Sequence, residues 1–211
     1  KKKKTNNALV GNGVSMVTLY YLRRFLKFLE PVLENVGSNS FSVSEELAKL
    51  FNSINDVLAN NQTLLNSSIS DSERKKITDK LGLVGSEYRN QIYDRGFSGE
   101  TVKIELNQIK EFVGTALEFL EHSIEANQRE DDLYHAYNLM SIDDDGISIS
   151  HLDEMLEGQV AVLSSGYLSS KEELNVLDAL RASALYRDDQ QSYILYPNKE
   201  LPGFLDKNTI P

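Results

Sequence analysis

Three consecutive carboxylates, Asp143-Asp144-Asp145, followed by Gly146 are the densest group of chemically capable side chains in the sequence. Clustered hard oxygens before a turn-permitting glycine are what a calcium loop uses. The register opposes that use. With Gly146 at the sixth loop position, Ser141 stands first and Leu152 twelfth, where an acidic ligand and a bidentate glutamate are required. An ordinary Asp/Gly turn is expected there, without a metal ion. The histidines, His122, His135 and His151, lack a second histidine at helical zinc spacing, and the chain contains 0 cysteines. They are expected to be satisfied or exposed side chains. No Gly-x-Ser-x-Gly elbow marks a nucleophile. Gly11-Asn12-Gly13 lacks both the third glycine and the Lys-Ser/Thr of a phosphate cradle, so it reads as a turn and helix start. No cofactor is expected.

Two further groups carry surface chemistry. Tyr134, Tyr137, Tyr186, Tyr193 and Tyr196 could stack on sugars or line a partner groove, although tyrosine is also a common boundary residue of a core. Glu111, Glu118 and Glu125 recur every seven residues and are expected to form a solvated helix face.

The elements that would position these groups read as helices. Apolar residues at helical intervals predict a mostly buried helix over Val14 to Leu33, shortened or kinked by Pro31. Ser42 with Glu45 has capping-box spacing before a helix ending near Asn60-Asn61, and Ser70 with Glu73 opens another that Gly96 closes. The longest helix is expected from Ser98 along Val102, Leu106, Ile109, Val113, Leu117 and Ile124. Asp131 to Met140 is expected to be a short helix, Ser150 with Asp153 the start of the next, Gly166 its stop, and Ser170 with Glu173 the start of the last. Three of the 4 prolines, Pro197, Pro202 and Pro211, lie beyond Arg187, where Tyr193-Ile194-Leu195-Tyr196 has strand-like composition without a partner hairpin. The fold expected is therefore all-α: an irregular bundle of six or seven helices over residues 1–189, and an extended arm over 190–211. Tyr193, Ile194, Tyr196, Leu201 and Phe204 are the arm residues expected to dock on a partner surface, because so apolar a stretch is costly to leave in water.

Composition narrows the function classes. The 211 residues are 40% hydrophobic and 26% charged, enough for a core. A net charge of -10 opposes general nucleic-acid binding, which needs a basic surface. Residues 1–95 hold 14 basic and 10 acidic side chains against 8 and 22 in residues 96–211, so the halves could attract each other or face different neighbours. The apolar run Val14 to Leu22 is too short for a membrane span, and the basic-then-apolar start is interrupted by Gly11-Asn12-Gly13. No export signal is read, and a cytoplasmic setting is expected. Starting at Lys1 rather than Met, the chain is expected to be a fragment or a processed form.

The segments Tyr134-His135-Ala136-Tyr137-Asn138-Leu139, Leu156 to Gly166 and Leu195 to Leu205 resemble part of large, poorly characterised bacterial polypeptides. Those polypeptides are themselves similar, in other regions, to cellobiose-phosphorylase-like and cyclic-glucan-synthase-like carbohydrate-active proteins. The resemblance implies a context, a helical module beside a sugar-active toroid, and transfers no catalytic residue. Two functions are therefore expected to compete. One is a non-catalytic structural or interaction module that binds neighbouring domains of the same polypeptide or another subunit. The other is a part of a glycan-active enzyme, lending tyrosines and carboxylates such as Asp143 or Asp145 to a sugar site. A cleft of paired carboxylates with aromatic walls would favour the second.

Overall fold

A computed structural model describes residues 12–198 and 203. Six helices account, with one 3-10 turn, for 56% of these residues, but seven short antiparallel strands add 16%. The fold is thus mixed α/β, which corrects the expected all-α bundle. No helix among the described residues is long and apolar enough to cross a membrane.

The helices are α1 (Met16–Glu34), α2 (Glu45–Ala59), α3 (Asp71–Arg95), α4 (Leu106–Glu125), α5 (Leu156–Ser164) and α6 (Ser170–Ala182). Strand β1 (Gly13–Ser15) pairs with β4 (Tyr137–Ile142), which pairs with β5 (Ile147–His151). A second ladder joins β2 (Ser40–Ser44) to β3 (Thr101–Glu105), and a two-residue ladder joins β6 (Tyr186–Arg187) to β7 (Ser192–Tyr193).

The strands lie where serine misleads. Ser40-Phe41-Ser42-Val43-Ser44 and Ile147-Ser148-Ile149-Ser150-His151 both alternate polar and apolar residues, the period of a half-buried strand. Ser42 and Ser150 belong to those ladders and cap nothing. The cap of α2 is Ser44, whose Oγ accepts from the Leu47 N–H at 3.2 Å. Between Glu125 and β4 the expected short helix is replaced by a turn in which Asp132 takes a left-handed φ of 61°. The helix expected from Ser98 begins instead at Leu106, after β3, so α3, at 25 residues, is the longest helix among those described. The Ser70–Glu73 capping box and the Gly96 terminus stand where the spacing put them. The last helix is boxed one residue earlier than expected, by Ser169 and Glu172. Tyr193 also proves to have a hairpin partner, Tyr186.

Helix α1 is the spine. At its N-terminal end Met16 and Tyr20 pack with Ile124, Leu133, Val162 and Leu185 in the main core; further along, Leu26 and Leu33 pack with Leu106, Val113 and Leu117 of α4. Between the two clusters α1 buries Arg23. Its Nε and Nη2 donate to Glu121 Oε1 at 3.0 and 2.7 Å, and its Nη1 donates to the Ser165 carbonyl at 2.9 Å. Tyr167 lies beneath the guanidinium, 5.7 Å from ring centroid to Cζ. The expectation that α1 is mostly buried fails on its outer side, where Tyr21, Leu22, Phe25, Phe28 and Val32 are exposed.

Replacing a buried guanidinium strands the Ser165 carbonyl and half-buried Glu121. Arg23→Met is therefore expected to cost about 2–3 kcal/mol in urea unfolding. The exposed neighbour, as Arg24→Met, should change stability by no more than about 0.5 kcal/mol. Equal effects of the two substitutions would contradict the packing.

Candidate functional site

The groups with the greatest chemical potential meet at the end of the three-stranded sheet. His135 immediately precedes β4 with Ala136, and His151 ends β5. Their rings stack with centroids 3.9 Å apart and planes 8° from parallel. Asn138 lies directly opposite His151 in the ladder, and its Oδ1 is 2.8 Å from His151 Nδ1. Asn138 Nδ2 donates to Asn127 Oδ1 at 2.6 Å, and Asn127 Nδ2 donates to the Ser123 carbonyl at 2.7 Å. Each amide in this chain uses its nitrogen toward α4 and its oxygen toward the sheet. The Asn138 oxygen must then receive a proton, which assigns the hydrogen of neutral His151 to Nδ1.

The other ring is held by its backbone. His135 N–H donates to the Asn127 carbonyl at 3.1 Å, and its own carbonyl accepts the Tyr20 hydroxyl at 2.9 Å. His135 Nδ1 is buried with no hydrogen-bond partner among the described residues. Burial, followed by the neighbouring His151 and Arg129, pushes the His135 imidazole down to about 4 from 6.5. Burial and Arg129 lower His151 as well. The nearby carboxylates are already engaged: Arg129 bonds both oxygens of Asp131 at 2.8 Å and reaches Glu154 at 3.6 Å. The stacked rings and the two amides together join the sheet to α4. The cross-strand Asn138–His151 register could have revealed it from sequence had β4 and β5 been recognised.

The other sites of interest are dispersed. Asp143 Oδ1 accepts from the N–H groups of Asp145 and Gly146 at 3.0 and 2.8 Å, making the hairpin turn between β4 and β5. That turn sits on the start of α3, so closely that a Cβ on Gly146 would lie 2.9 Å from Asp71 Cβ. The Asp143 carboxylate therefore shapes the turn, and both Asp143 and Asp145 are exposed on it. His122, in the last turn of α4, has its Nε2 2.9 Å from the Ser67 carbonyl.

In the arm, Tyr193 meets Tyr186 edge-on at 5.2 Å, and Ile194 N–H donates to the Leu185 carbonyl at 2.8 Å. Leu195 accepts from Leu156 N–H at 3.1 Å, while the Tyr196 side chain is exposed. Leu201 and Phe204 lie outside the described residues.

Two surfaces went unremarked in the sequence. One is a cleft of about 280 Å³ between α2 and α3, whose lining includes Glu45, Glu46, Lys49, Glu87, Tyr88 and Ser98. Buried Glu46 is fixed there by the Ser98 N–H, which donates to its Oε1 at 2.7 Å and lowers its carboxyl. The other is the outer face of α1, where Phe25 is 55% and Phe28 66% exposed. The apolar periodicity of α1 was legible; that one of its two apolar sides is exposed was not.

Because both imidazoles titrate lower when folded, the unfolded chain takes up protons first as pH falls. Stability should be level near pH 8 to 7, fall as pH drops through about 6.5, and His135 should stop contributing to the fall below about 4. His135→Phe, which keeps a ring on His151, should flatten the decline in the urea midpoint between about pH 7 and 5. An unchanged decline would show that the pair does not titrate on unfolding.

No protein-family model matches this sequence, and no curated protein proves recognisably similar to it.

Proposed function

We propose that the chain is a non-catalytic structural or interaction module within a larger polypeptide, and that it meets a neighbouring domain or another subunit through the outer face of α1. The observation that carries this reading is the stripe of Tyr21, Leu22, Phe25, Phe28 and Val32, five large apolar side chains left in water on one helix. Scattered exposed apolar residues are normal, but a contiguous set of this kind marks a surface that another element covers.

A second reading has support in the α2–α3 cleft, where Glu46 and Glu87 stand with Tyr88. Carboxylates beside an aromatic ring are what a sugar site would use, which is the context that the resemblance of the C-terminal segments implies. It ranks second on the chemistry of Glu46. A general acid for glycoside cleavage needs a carboxyl raised toward neutrality, whereas the Ser98 N–H moves Glu46 the other way.

The two readings separate in parallel assays. When the chain is expressed with the sequence flanking it in its gene, Phe28→Glu should release it from its neighbours. Limited trypsinolysis should then detach the domain at least about tenfold faster, while the circular dichroism of the chain alone is retained. Short gluco-oligosaccharides, with and without inorganic phosphate, should yield no released sugar. Unchanged proteolysis together with sugar release that Glu87→Gln abolishes would replace the first reading by the second.

A further inference from the structure

The cleft between α2 and α3 is built from one side of each helix. Glu45, Glu46, Lys49 and Leu50 contribute from α2, and Val84, Glu87 and Tyr88 from α3, at the spacings that place residues on one helical face. The chain leaves α3 through Gly96, whose left-handed φ of 72° ends the helix. The Glu45 N–H then ties the following loop to α2 by donating to the Glu100 carbonyl at 3.1 Å. That loop carries Ser98, which completes the lining. The cleft is therefore formed by bonds within the chain alone, as ligand sites commonly are.

One carboxylate in this lining is only half satisfied. Glu46 is 7% exposed and is the buried member of the set. Its Oε1 accepts from the Ser98 N–H at 2.7 Å, while its Oε2 is buried with no hydrogen-bond partner among the described residues. A charged oxygen withdrawn from water without a donor is costly, and nearly all such groups in folded proteins find one. The Ser98 N–H also lowers the Glu46 carboxyl, so the side chain keeps its charge at neutral pH. A sugar hydroxyl would leave that charge uncompensated, whereas an ammonium supplies a donor and the opposite sign together.

The rest of the lining indicates how many charges the ligand carries. Glu45 and Glu87, both exposed, join Glu46 to set three carboxylates against one cation, Lys49, for a net charge of -2. Leu50, Val84 and Tyr88 are half-buried and offer apolar surface to the stem of a cationic ligand. At about 280 Å³ the cleft has room for about nine water-sized groups. We propose that the α2–α3 cleft binds a short aliphatic diamine, one ammonium completing Glu46 Oε2 and the other facing the exposed carboxylates Glu45 and Glu87, with the methylenes against Leu50, Val84 and Tyr88. This site is separate from the outer face of α1 and does not depend on that face being a docking surface.

Isothermal titration of the chain of 211 residues with putrescine should give one saturable site. The monoamine n-butylamine should bind at least about tenfold more weakly, and neutral butanediol should not bind. Glu46→Gln, which keeps an oxygen for the Ser98 N–H and removes the charge, should weaken putrescine at least about tenfold. Glu87→Gln, at an exposed position where folding is not at stake, should weaken putrescine more than it weakens n-butylamine. Lys49→Met, which removes the competing cation, should tighten putrescine, and Glu111→Gln, on the exposed side of α4, should leave it unchanged. The absence of saturable binding at millimolar putrescine would overturn the proposal. So would equal weakening by Glu87→Gln and Glu111→Gln, the mark of diffuse attraction to an acidic chain. Saturation by a neutral gluco-oligosaccharide that putrescine does not displace, and that Glu87→Gln abolishes, would assign the cleft to a sugar instead.

Discussion

A single buried cation holds the two halves of the core in register. Arg23 sits on α1 between two apolar clusters, and its three donors are divided between Glu121 on α4 and the Ser165 carbonyl at the end of α5. Removing a guanidinium from water is costly, and only close partners on fixed elements offset that cost. The arrangement therefore specifies as much as it stabilises: α1 cannot rotate or slide without stranding the charge. Gly166 completes the constraint. Its left-handed φ of 70° turns the chain from α5 toward α6, and a Cβ there would approach Arg23 Nη1 to 3.3 Å.

Fixing α1 in this way determines what is left outside. With Tyr20, Arg23, Leu26 and Leu33 committed inward, the residues on the opposite arc must face away from the core, and in this helix they are also apolar. The same rotation sends the Tyr20 hydroxyl to the His135 carbonyl, and so anchors the histidine joint to the spine. Gln159 does comparable work in the main core. Its amide exchanges hydrogen bonds with both backbone groups of Tyr134, at 2.9 and 2.7 Å, in the manner of a neighbouring strand. Polar side chains thus supply the specific geometry, and apolar ones fill the space between.

Helices with two agreeing signals were legible in the sequence. Ser70, Glu73 and Gly96 bracket α3 correctly because each end has its own local chemistry. Sites with one signal shared by two structures were misread. Serine before a carboxylate is a cap on a helix but a polar-face residue on a strand, and Ser42 and Ser150 proved to be the latter. The short strands carry few residues each, and their partners lie far along the chain, so no local window contains the evidence for them. The histidine pair was hidden for that reason, since His135 and His151 come together only through the β4–β5 hairpin. The outer face of α1 was visible as composition but not as exposure, which depends on where α4 and α5 end.

The pairing of β1 with β4 also shapes how the molecule can be assembled. Gly13 must find Leu139, and Ser15 must find Tyr137, so a strand near the beginning of the sequence waits for one made much later. Closing so long a loop costs entropy before any contact compensates it, and folds built on distant pairings form slowly. During synthesis, α1 emerges with both of its apolar sides uncovered, and neither the sheet nor the α5 end that receives Arg23 yet exists. Its early life on the ribosome is therefore the period when this helix is most open to aggregation, or to shelter by a chaperone.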